Sequence, residues 1–106
     1  MFKTNSESTP FEMFPGIVRR ALCGGERMTV CEITLRKGAT VPLHSHDDEQ
    51  GGYVIQGRIL FKIGEEEREI SAGCGYLAPG GVAHALTVLE DSLIVEVFSP
   101  PRKEYL

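Results

Sequence analysis

No apolar run in this chain approaches the roughly 20 residues that cross a bilayer, which excludes a membrane-spanning helix. The opening Met1-Phe-Lys-Thr-Asn-Ser-Glu also lacks the apolar stretch of a secretory signal, so a cytoplasmic protein is expected. An excess of positive charge is missing as well. Eleven Lys and Arg stand against 15 Asp and Glu, for a formal charge of -4. The basic residues are scattered rather than striped, so nucleic acid is not an expected partner. Cysteine is sparse: Cys23, Cys31 and Cys74 form no CxxC pair and cannot all pair with one another. That fits a reducing compartment in which thiols act as small buried apolar side chains. Internal repeats, low-complexity tracts and helical periodicity are all hard to find.

What is present is alternation. Thr29, Cys31, Ile33 and Leu35 fall on one side of an extended segment, with Met28, Val30, Glu32 and Thr34 on the other. Further β-type runs cover 16–22, 52–56, 58–63, 67–70, 75–77, 83–89 and 93–98. Between them stand Gly24-Gly25, Lys37-Gly38, Gln56-Gly57, Ile63-Gly64-Glu65 and Pro79-Gly80-Gly81, the residues that tight reversals require. Short strands at such spacing predict an all-β sandwich or small closed barrel. At 106 residues this is a single domain with a real core. Residues 1–15, with Phe2, Phe11, Met13 and Phe14 among polar neighbours, read equally well as a packed arm or a frayed terminus. The barrel is expected over 16–98. From Ser99 a tail with Pro100 and Pro101 leaves the sheet, because proline lacks the ladder donor.

All three histidines lie in two glycine-punctuated segments. In a strand His44 and His46 share a face, and His84 must come from another strand. Neutral imidazoles suit a divalent first-row ion, although an HxH alone is more often a pair of exposed or hydrogen-bonded histidines. The segments themselves add weight. Gly38, His44, His46 and Gly57 resemble the first motif of the cupin family. Gly73, Pro79, the following glycines and His84 resemble its second. The resemblance implies a jelly-roll-like, double-stranded β-barrel holding one divalent transition metal (Mn, Fe, Ni or Zn).

The family's usual glutamate position holds Gln50, and Val88 stands where many members have asparagine. The implied ligands are therefore His44, His46, Gln50 and His84. Glu49 is the rival, but it is one residue out of register. An amide does not neutralise the ion as a carboxylate does, which favours polarising chemistry over oxygen activation.

The ending from Glu96 to Leu106 resembles that of the pectin-degradation cupins that linearise unsaturated uronates. That likeness implies Glu96 as acid/base, Arg102 as carboxylate anchor and Phe98 as pocket wall; Tyr53 and Phe61 read on their own as core or pocket wall. Alternatively Glu96 sits on the solvent face between Val95 and Val97, and Arg102 pairs with Glu104 or Asp91 at the surface. The functions implied are an isomerase-like or hydratase-like step on a small carboxylated sugar, a metal-dependent dioxygenase, or a non-catalytic binding module. A homodimer is expected from the short exposed strands and the apolar segment Phe11 to Phe14.

Overall fold

The structure is a computed structural model that describes residues 1–105. A one-turn 3₁₀ helix, Asn5–Glu7, precedes eight strands: β1 Phe11–Phe14, β2 Ile17–Gly24, β3 Thr29–Leu35, β4 Thr40–His44, β5 Glu49–Ile63, β6 Glu66–Ser71, β7 Gly75–Ala78 and β8 His84–Ser99. A second 3₁₀ turn covers Lys103–Tyr105. No described helix is long and apolar enough to cross a membrane.

Two long strands organise the rest. β5 and β8 pair along nearly their whole length. The first part of β8 also pairs with β4 and the last part with β3, while β5 pairs first with β7 and then with β6. Each long strand is thus paired along both edges within one eight-stranded sheet, whose inner face closes on an apolar cluster that includes Ile17, Ile33, Val54, Ile59, Val88 and Ile94. This is the double-stranded barrel that the alternation and the motif resemblance imply.

Two pairs of predicted strands are in fact single strands: 52–56 joins 58–63 in β5, and 83–89 joins 93–98 in β8. The predicted turn at Gln56-Gly57 is a bulge, where the pairing shifts between Val54 and Ile59. Gly57 has φ +99°, and a Cβ on it would lie 2.0 Å from Ser92 Oγ, so glycine is required there. The bulge also changes which residues face inward. Gln50 and Val54 are buried before it, Ile59 and Phe61 after it. β8 keeps one parity throughout, with His84, Leu86, Val88, Ser92, Ile94, Glu96 and Phe98 all buried.

Phe11–Phe14, predicted as part of an arm, is an edge strand paired with β2. Met13 and Phe14 pack against the core of their own chain, whereas Phe11 stays 55% exposed.

Candidate metal centre

The two histidine-bearing segments are fastened by backbone. The Gly81 N–H donates to the His46 carbonyl at 2.8 Å. Gly80 lies so close that a Cβ on it would be 2.4 Å from the Asp47 carbonyl oxygen. His44 ends β4 and pairs across the ladder with His84, the first residue of β8. His46 lies just past β4 rather than on it, so the loop, not strand alternation, turns its ring toward the others. The ligand atoms of His44, His46 and His84 lie within 4.8 Å of one another.

Each ring is held the same way. Nδ1 of His44 donates to the Pro42 carbonyl at 2.8 Å, that of His46 to Asp48 at 3.0 Å, and that of His84 to Val82 at 3.0 Å. A carbonyl can only accept, so each Nδ1 carries the proton and each Nε2 presents a lone pair. The His84 Nε2 is buried with no hydrogen-bond partner. Burial, followed by the nearby His44, His46 and Arg102, lowers the His84 pKa against the opposing effect of the Val82 bond, which favours the neutral, metal-binding form. An orphaned lone pair, two more converging on it and carbonyls fixing all three tautomers are the arrangement a divalent cation needs. The three histidines can hold a metal ion.

Beside them runs a hydrogen-bonded side-chain chain. Gln50 is 7% exposed, whereas Glu49 is exposed and turned away. The Gln50 amide donates to Glu96 Oε2 at 2.5 Å, which directs its Oε1 toward the histidines, 3.1 Å from His46 Nε2. With His46 Nε2 unprotonated two acceptors face each other, and a cation bound by both would relieve the contact.

Glu96 is 4% exposed, not on the solvent face. The Tyr76 hydroxyl donates to the same Oε2 at 2.6 Å. Both donors meet one oxygen, so Oε1 has no protein donor among the described residues. Burial raises the Glu96 pKa, opposed by the Tyr76 and Gln50 hydrogen bonds and by Arg102.

The three histidines, Gln50 and Glu96 line a cavity of about 300 Å³, at the lower end of small-molecule sites. Phe98 and Phe61 are on its wall, as the tail resemblance and the strand pattern imply. Tyr53 is not. It is 52% exposed on the outer face, because its parity is opposite to that of Gln50. Counting back from Phe61 by twos puts Tyr53 inside only if the bulge at Gly57 is ignored. The tyrosine that does reach the site is Tyr76. It fills the space above Gly52, where a Cβ would come within 2.1 Å of its ring. A glycine two residues after Gln50 on the inward face was the sequence signal for a side chain arriving from elsewhere.

Arg102 also lines the cavity, and its guanidinium is ion-paired with Asp48 and is 3.7 Å from Glu104. Asp48 is the residue whose carbonyl orients His46, so this pair braces the histidine loop.

The family model described as the cupin domain matches residues 31–99, which hold every histidine, Gln50 and Glu96. The chain belongs to the cupin family. KdgF from Halomonas sp. is 31% identical, with 100% of this chain and 98% of that one covered and a TM-score of 0.92. An RmlC-like cupin from Shewanella frigidimarina has the same TM-score at 22% identity, over 99% of this chain and 95% of that one. Bacillus subtilis oxalate decarboxylase, a protein with Mn(II) centres, is 21% identical over 93% of this chain and 29% of its own, with a TM-score of 0.81. These last two share the fold alone. No curated protein matches the chain.

Proposed function

We propose that this cupin is a metal-dependent isomerase that opens the ring of a small carboxylated sugar, such as an unsaturated uronate. The observation that carries the reading is a buried carboxyl, Glu96, held by Tyr76 and Gln50 through one oxygen and bare at the other, beside three converging histidines. Full-length similarity to KdgF and the likeness of the tail to the uronate-linearising cupins support it.

His44, His46 and His84, with Gln50 as fourth ligand, would hold the ion, which would supply polarisation of a hydroxyl or ring oxygen. The proteins' own side chains do the remainder. Opening a cyclic unsaturated uronate breaks the bond between the anomeric carbon and the ring oxygen. One proton leaves the anomeric hydroxyl and one is added at the C4 carbon, giving an aldehyde and a ketone with no net change of atoms. Glu96 Oε1 is the atom that carries this proton, and burial, which raises its pKa, favours the protonated form that can donate one. Oε2 stays fixed by its two donors, so the carboxyl does not rotate away. Phe98 and Phe61 form the wall that excludes water. A second copy would cover the outward Tyr53, Ile55 and Leu77, which are exposed on β5 and β7.

The test is anaerobic. Metal-loaded protein should bleach the ultraviolet band of the enol-conjugated acid, and Glu96→Gln should slow this by at least about a hundredfold, within the usual range for a lost acid/base. Oxygen uptake matching substrate loss, or no bleaching with any of the four metals, sinks the reading.

A further inference from the structure

Arg19 occupies a position where a cation is costly. Along β2 the inward residues are Ile17, Arg19 and Ala21, and Arg19 is paired with Ile33 on an apolar face. It is 9% exposed and lines the cavity that also contains His44, His84 and Glu96. Its neighbour Arg20 faces outward and is satisfied by the Asn5 and Ser8 carbonyls, each at 2.8 Å. No carboxylate lies within ion-pair distance of Arg19 among the described residues. Aromatic rings cover it instead: its central carbon is 3.6 Å from the Tyr105 ring centroid and 4.6 Å from that of Phe11. Rings stabilise a guanidinium across its faces and leave its edge N–H groups free. A buried cation lacking an anion is strongly unfavourable, so a function has to account for it.

We propose that Arg19 is the anion anchor of the cavity and takes the carboxylate of the ligand in a two-point hydrogen bond. The inference rests on the sugar-acid reading above and assigns the residue that recognises the acid. Arg102 is less suited, because Asp48 and Glu104 already engage its charge. Glu96 is the one carboxylate among the residues lining this cavity, and it is hydrogen-bonded to Gln50 and Tyr76. A continuous wall joins the two ends. Ring centroids are 6.2 Å apart from His46 to Phe98 and 5.5 Å from Phe98 to Tyr105, which in turn covers Arg19. A small sugar acid can therefore lie along Phe98 with its carboxylate at Arg19 and its hydroxyls at the histidines.

The experiment uses D-galacturonate and neutral D-galactose as probes, titrated calorimetrically into the metal-loaded protein and its Arg19→Met variant. The wild type should prefer galacturonate. In Arg19→Met galacturonate binding should weaken by about 10- to 100-fold, the range for a lost charged hydrogen bond, with galactose unaffected. Metal content should not change, and the melting temperature should hold or rise, because a buried unpaired charge has been replaced by an apolar chain. A structural arginine would instead lower it. Retention of the galacturonate preference in Arg19→Met overturns the anchor and leaves the sugar-acid reading intact; absence of any preference in the wild type overturns both. Should Arg19→Met not fold, Arg19→Lys, which keeps charge but loses the fork, carries the test. Selective weakening for galacturonate supports the anchor, and wild-type affinity overturns it.

Discussion

The interior of this barrel has two halves built from the same strands, and they differ in everything except the rule that turns their residues inward. In one half Val54, Ile59 and Val88 sit in an apolar cluster, to which Ile17, Ile33 and Ile94 also belong while lining the cavity on their other side. In the other, Gln50, His84, Glu96 and Arg19 surround open space. β8 contributes to both with unbroken parity, from His84 through Val88 and Ile94 to Glu96. Alternation therefore selects which side chains enter the interior, and their chemistry decides whether that interior is core or site.

Substitutions on the single strand β8 test this contrast most directly. His84→Ala should abolish metal binding, read by elemental analysis, with little effect on the melting of the metal-free protein. Ile94→Ala should do the reverse, with a loss of about 2–5 kcal/mol in urea unfolding and unchanged metal content in the folded fraction. Equal effects of the two on both measurements would show that the halves are not separable.

A smaller effect is expected at the boundary. Gly52→Ala drives a methyl into the Tyr76 ring and should cost about 1–3 kcal/mol, as over-packing does. Wild-type stability there would mean that Tyr76 moves freely and does not hold Glu96.

The smallest effect is a dependence on pH. Burial raises the Glu96 pKa, so the folded protein keeps this proton to higher pH than the unfolded chain. Its contribution is complete below the ordinary carboxylate range and is lost as pH rises through the raised value. Glu96→Gln in metal-free protein has no such loss, so its melting temperature relative to wild type should climb as pH rises from the ordinary carboxylate range through the raised value. A constant difference would show that Glu96 is not held as described.

Much of this was legible in the chain because a strand's period is two and the glycine-framed histidines have a fixed spacing. His44, His46 and His84 come together as that spacing implies. What escaped has a local physical reason in each case. The bulge at Gly57 reverses parity within β5, so Tyr53 faces outward although Phe61 faces in. Tyr76 enters through a gap left by Gly52 on a neighbouring strand, a relation set by pairing and not by sequence distance. Arg19 looks like one more alternating residue until Phe11 and Tyr105, from opposite ends of the chain, are seen to enclose it.

The bond from Gly81 to His46 and the close seat of Gly80 on Asp47 bear on how metal enters and leaves. Backbone already joins the two histidine segments, so the ion is not the clasp that brings them together. The empty and loaded forms can then share one fold, and metal exchange becomes a matter of coordination kinetics at a ready-made cup, without refolding.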